Sequence, residues 1–280
     1  MTIPPHQAAL FASPMYSQSL VQGSYVPTHF FWSILFAFTI CTAAFADYAR
    51  SNEPIAVVTE HWPPYNYIDG TELTGAATTI VKDTLARANM PATMQLLPWA
   101  RAYAQAKNTP NVLIYSIIRT PQREAEFHWI GPMAHDIAVG IHCLAARKDI
   151  QVNSVQDALK YKFGAIRGGS MHTLLLAHGF SEGVNLELSV TTESLLQKLF
   201  AGRIDLVGGS IDAQGLILRE YGYNPEDLRE LVPLGAMTPY LACSLGTPDA
   251  TVQALRKAMQ SIPPSAYHEA WAAHSQRTKR

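Results

Sequence analysis

From residue 54 onward the apolar positions alternate between a strand period and a helix period. "PIAVVTE" (54–60) is a short, β-branched apolar run ended by Pro63 and Pro64, which predicts a buried strand. "ATTIVKDTLARANM" (77–90) puts Val81, Leu85 and Ala88 on one face at i, i+4, i+7 and predicts a helix. "TMQLLPW" predicts a strand, "ARAYAQAKN" a short helix and "NVLIYSII" a second buried strand. This βαβαβ run implies a parallel sheet with crossover helices.

The same pattern is laid down again further on. "KFGAIRGG" reads as a strand and glycine turn, "SMHTLLLAHGF" as a helix and "LELSVT" as a strand. "TESLLQKLFAG" reads as a helix with Thr192 as N-cap and Gly202 as C-cap, and "RIDLVGGS" as a strand ending in a glycine turn. Two strand-like runs, "DIAVGIHCLAARKD" and "PYLACSLGTPD", connect the sets, and "ATVQALRKAMQSI" and "SAYHEAWAAHSQ" close the chain with helical patterns. Two α/β lobes joined by two crossing strands enclose a cleft. Ligands of such sheets bind beyond the carboxyl ends of the strands, here "TEHWPPY", "YSIIRTPQR", "AIRGGS" and "VGGS".

Charge adds a boundary. Residues 1–46 hold no Asp, Glu, Lys or Arg, and Asp47 is the first charged residue. Within that segment Phe30–Ala46, "FFWSILFAFTICTAAFA", ends in A-x-A, which predicts a signal peptide cleaved after Ala46 and a periplasmic product. Two features are atypical, the missing basic n-region and the 29 residues ahead of Phe30. An uncleaved membrane anchor over 30–46 is the alternative. The net charge of −1 offers no basic excess to neutralise phosphates, so nucleic acid is not an expected partner. The histidines are scattered without ligand spacing; no metal site, cofactor or nucleophile–base–orienter motif is expected.

Five segments in order, "HWPPYNYIDGTELTG", "IIRTPQREAEFHWIGPM", "KFGAIRGGSMHTLL", "LQKLFAGRIDLVGGS" and "YLACSLGTPD", resemble the family 3 bacterial extracellular solute-binding proteins across residues 53–275. The resemblance implies an α/β, two-lobed periplasmic-binding-protein fold of type II, with two lobes joined by two crossing hinge strands. Lobe 1 is expected over 47–138 and 242–280, and lobe 2 over 139–241. It implies a monomeric receptor for a small polar, carboxylate-bearing solute such as an amino acid, serving an inner-membrane ABC permease. An exported sensor domain is the alternative reading, and a cleft enzyme such as a dehydratase a further one.

The same resemblance assigns residues. Trp62 matches the aromatic that stacks on the solute, with Tyr65 beside it as either a further contact or a core residue. Arg123, with Thr120 ahead of it in "T-x-x-R", matches the carboxylate clamp, a role suited to a planar guanidinium fork. Ser116 and Arg119 belong to the same strand end, and Arg119 is an addition to the family pattern. Gly169 and Ser170, with Gly168, match a helix start that favours an anion. Arg101 and Arg167 add positive charge toward the cleft, which points to an anionic solute. Where the family places an acid for the solute's ammonium group this sequence has Ser210, with Asp212 two residues on. Either Asp212 or Glu60 supplies that charge, or the solute is not an α-amino acid. Asp205 reads as structural. Because the family's crossing strands run side by side, Cys143 and Cys243 are expected within reach of a disulfide.

Overall fold

The computed structural model describes residues 54–133 and 136–277; of Ile211, Asp212, Gln276 and Arg277 it describes the backbone alone. The proposed leader and its cleavage site lie outside the described residues.

Lobe 1 is built on a five-stranded sheet of order β4-β1-β5-β12-β6. Its strands are β1 (Ile55–Thr59), β4 (Ala92–Leu96), β5 (Val112–Ile118), β6 (Phe127–Pro132) and β12 (Pro239–Ser244). β1 runs parallel to both β4 and β5, while β12 is antiparallel to β5 and to β6. The sheet is therefore mixed, not wholly parallel, because the returning chain adds β12 beside β5. Successive side chains of β1 and β5 face opposite layers. Val57, Leu113 and Tyr115 pack with Ile80, Val81 and Leu85 of α1 (Ala76–Arg87) and with Val252 and Leu255 of α6 (Asp249–Gln260). On the other face Val58 and Ile114 pack with Trp99, Ala102 and Ala106 of α2 (Trp99–Asn108). The last helix, α7 (Pro264–Arg277), lies against α1.

Lobe 2 repeats the plan with order β11-β7-β10-β8-β9. Its strands are β7 (Ile137–Leu144), β8 (Phe163–Ile166), β9 (Leu186–Ser189), β10 (Leu206–Gly209) and β11 (Leu228–Met237). β8 is parallel to β9 and β10, while β7 is antiparallel to β10 and β11. Helices α3 (Ser170–Ala177), α4 (Thr192–Phe200) and α5 (Ile211–Glu220) complete it. Thr191, not Thr192, caps α4: its side chain accepts from Ser194 N, and the left-handed Gly202 follows the true C-cap, Ala201.

Elements without a clear period escape the sequence reading. β6, β11 and α5 carry mixed patterns, and "YIDGTELT" forms the hairpin β2 (Tyr67–Asp69) and β3 (Glu72–Thr74).

The chain leaves sheet 1 after β6, enters sheet 2 at β7, and returns between β11 and β12 at Thr238. The two crossings are tied to each other: Met133 N donates to Pro239 O at 2.8 Å, and Thr238 Oγ1 donates to Asp136. The expected disulfide is not formed. Cys143 in β7 pairs across to Arg229, whereas Cys243 in β12 pairs across to Leu113 and His128, so the two thiols belong to different sheets and are free and buried.

Candidate functional site

In both sheets the three parallel strands follow the order second-first-third, so each lobe has one point where the chain reverses its direction of travel across the sheet. Crevices open at such points, beyond the carboxyl ends of the flanking strands. In lobe 1 these strands are β1 and β5, and in lobe 2 they are β8 and β10. Residues at or beyond the ends of all four, Glu60 to Trp62, Ser116 and Ile118, Gly169 to Met171 and Gly208 to Ser210, line a single cavity of about 150 Å³.

The lobe 1 wall is organised by a buried asparagine. Asn66, with no exposure, donates from Nδ2 to Glu60 O at 2.5 Å and accepts from Ser116 Oγ at 2.5 Å. Ser116 turns toward it because it is a bulge residue. Its φ is +61°, and the β5–β12 register skips it, pairing Ile117 with Tyr240 and Tyr115 with Leu241. The extra residue also keeps Ile117 on the same face as Ile114.

The aromatic turn has a second task. Pro64 O and Tyr65 O accept from Ala76 N and Ala77 N, 2.9 Å each, satisfying the free N–H groups at the start of α1. Gly75 is required there: at φ +124° a Cβ would lie 2.2 Å from Tyr65 O. The first helix is therefore closed to an anion, whereas α3 and α5 begin at the cavity with no side-chain cap.

Arg123 is carried on a 3-10 turn, Pro121–Glu126, and is 5% exposed. Its guanidinium carbon sits 5.1 Å from the ring centres of both Trp99 and Tyr103. Nη1 donates to Ile118 O at 2.9 Å and Nη2 to Gly168 O at 2.8 Å. Gly168 O also accepts from Trp99 Nε1 at 2.8 Å. A further link between the lobes joins His61 Nε2 to Glu220 at 2.9 Å. Burial pulls the pKa of Arg123 down, while Tyr103, Glu126 and Glu60 hold it up. Burial pushes Glu60 up to about 7, with Arg123 opposing the shift.

In lobe 2 the Gly208–Gly209 pair makes room. A Cβ on Gly208 would lie 2.4 Å from Met171 Cε, and one on Gly209, at φ +152°, would lie 2.8 Å from Gln214 Nε2. Met171 and Gln214 reach the cavity over these two residues.

Of the residues anticipated from sequence, Glu60, Trp62, Ser116, Arg123, Gly169, Ser170 and Ser210 are brought together on the lining. Five others are placed elsewhere. Tyr65 is buried in the lobe 1 core, with ring centres 4.8 Å from Trp62 and 5.1 Å from Trp271. Arg101 is exposed on α2. Arg119 is bound to Glu124 and lies over Trp129 and Tyr240. Thr120 precedes the 3-10 turn, and its buried Oγ1 makes no hydrogen bond. Arg167 is exposed and pairs with Glu182 at 3.6 Å. The expectation of four converging arginines thus reduces to Arg123, because a position after a strand end does not fix which way a long side chain turns. The side chain of Asp212 lies outside the described ones. Asp205 is structural, accepting from Arg147 Nη1 at 2.9 Å and Lys162 N at 3.0 Å.

Sequence reasoning missed His61, Gln214 and the site roles of Trp99 and Asn66. Asn66, in "PPYNY", carries a sequence signal: a small amide inside a tight turn.

Two α/β lobes, two hinge crossings and a cavity between the strand ends define the two-lobed periplasmic-binding-protein fold. No protein-family model matches the sequence, and no curated protein matches it. Solved structures do share the fold. A histidine kinase sensor domain with similarity to periplasmic binding proteins has a TM-score of 0.69 at 20% identity, covering 80% of this chain and 96% of that one. The amino acid ABC transporter substrate-binding protein AbpA from Streptococcus pneumoniae, bound to L-arginine, has a TM-score of 0.69 at 15% identity, covering 82% and 98%. An ancestral arginine-binding protein bound to arginine has a TM-score of 0.68 at 14% identity, covering 80% and 98%. At these identities the likeness is one of fold. No helix among the described residues is long and apolar enough to cross a membrane.

Proposed function

We propose that this chain is an exported, monomeric solute receptor that takes a small carboxylate-bearing solute between its lobes and delivers it to an inner-membrane ABC permease. The observation that carries the reading is Arg123: a buried guanidinium on the cavity wall, facing the uncapped start of α3 from the other lobe. Such a fork and helix start suit a carboxylate. Glu60 is the one carboxylate among the described lining residues, and its electrostatic partner is a guanidinium, so we read the site as binding and not catalytic.

A thermal-shift screen of amino acids and other small carboxylates tests this, since a ligand that binds the native state raises its melting temperature. Arg123→Ala should abolish the shift; a shift that survives it removes Arg123 from the site. The fold likeness to a kinase sensor domain supports a second reading, a periplasmic sensor subunit. Solute uptake lost on deletion of the gene favours the receptor, and uptake retained with a lost transcriptional response favours the sensor.

A further inference from the structure

Much of the cavity lining is apolar. Ile137, Val139 and Met237 from the hinge strands and Met171, Leu195 and Ile217 from the lobe 2 helices contribute to it. Four polar side chains of lobe 2 share the lining: Ser170, Thr192, Ser210 and Gln214. Gln214, in α5, lines the cavity and is 7% exposed, and its buried Oε1 has no hydrogen-bond partner. A buried amide oxygen left unpaired is destabilising unless something else binds it.

Resting on the receptor reading above, we infer that the solute is a small monocarboxylate with an apolar body and one neutral polar group, hydroxyl, carbonyl or amide, bound by Gln214, in preference to a zwitterionic amino acid. A buried ammonium group requires a counter-charge. Among the described lining residues the only carboxylate is Glu60, which is coupled to Arg123 and takes up a proton near neutral pH. At the start of α5 stands Ser210, a neutral residue. Gln214 offers both a donor and an acceptor without charge, so it matches a neutral group of either polarity. The cavity of about 150 Å³ suits a solute of on the order of six to ten non-hydrogen atoms, by comparison with apolar cavities of that size that hold a benzene ring.

Titration calorimetry on the purified, cell-processed protein with a series on one carbon skeleton tests this: hexanoate, 2-hydroxyhexanoate, 2-oxohexanoate, 6-hydroxyhexanoate and L-norleucine, with L-arginine added. At least one oxygenated acid should bind tenfold or more tighter than either amino acid. Its advantage over hexanoate should vanish in Gln214→Leu, with circular dichroism and urea denaturation reporting that the variant is folded. If L-norleucine or L-arginine binds as tightly as the best acid, the inference falls and the receptor reading stands; loss of that binding in Asp212→Asn would locate the missing counter-charge. If the oxygenated acid keeps its advantage in Gln214→Leu, the role given to Gln214 falls. If no member of the series binds, both readings fall together.

Discussion

Arg123 of lobe 1 donates to the carbonyl of Gly168 in lobe 2 at 2.8 Å, and Trp99, stacked on that arginine, donates to the same oxygen at 2.8 Å. One carbonyl has two lone pairs, so both are used. The residue best suited to hold a carboxylate is therefore also a latch between the lobes. On the proposed receptor reading, solute binding and lobe closure would be coupled through one guanidinium, whose five N–H donors leave capacity for a carboxylate after the two carbonyls are served.

Trp99→Phe keeps a ring under Arg123 and removes one bond of this latch. A neutral hydrogen bond contributes about 1 kcal/mol net, so solute affinity should fall about fivefold. Calorimetry checks the affinity, and small-angle scattering should show a larger radius for the solute-free variant. An unchanged affinity and radius would mean the bond does not contribute to closure.

Arg123→Lys should fail nearly as completely as Arg123→Ala. A lysine keeps the charge but neither the fork that reaches Ile118 O and Gly168 O nor the planar stack between Trp99 and Tyr103. We expect a loss of about ten- to a hundredfold in carboxylate affinity for both, in line with the cost of removing a hydrogen bond to a charged group. Near-normal binding by the lysine variant would reduce the role of Arg123 to charge alone.

Glu60 makes stability depend on pH. Its pKa is raised from 4.5 to about 7 chiefly by burial, so the folded state holds the proton more tightly than the unfolded chain. The stability this contributes is fully present below pH 4.5, falls as pH rises through the window up to about 7, and is level above it. The fall is at most about 3 kcal/mol, and relaxation around the half-buried residue makes it smaller. Urea denaturation at pH 5 and pH 8 should show a slope in the native protein that Glu60→Gln flattens. A solute anion at Arg123 also favours protonated Glu60, so affinity should decline above neutral pH in the native protein and less so in the variant.

Asn66→Ala should cost about 2–3 kcal/mol in urea denaturation, since it strands the Ser116 hydroxyl and the Glu60 carbonyl in a buried site. It should also weaken solute binding, because the turn that positions Glu60 and Trp62 is held by the same side chain. A loss well under 1 kcal/mol would show that water replaces the amide.

The repeated α/β plan is written in the local pattern of the chain. Val57 and Val58, Leu113 and Ile114, and the Val81, Leu85 spacing of α1 are local patterns whose burial follows from strand and helix periods. The same pattern places Glu60, Trp62, Arg123 and Ser170 at strand ends, and strand ends become cavity wall once the sheets form. Which arginine faces inward depends on contacts between distant segments, since Arg101, Arg119 and Arg123 differ in neighbours and not in local pattern. The tertiary structure also sets the cysteines apart, because strand pairing is set by contacts far along the chain. It makes Asn66 the organiser of one wall and leaves Gln214 unpaired in the other. A polar residue's role is fixed by the partners that folding brings to it, and no periodicity along the chain records them.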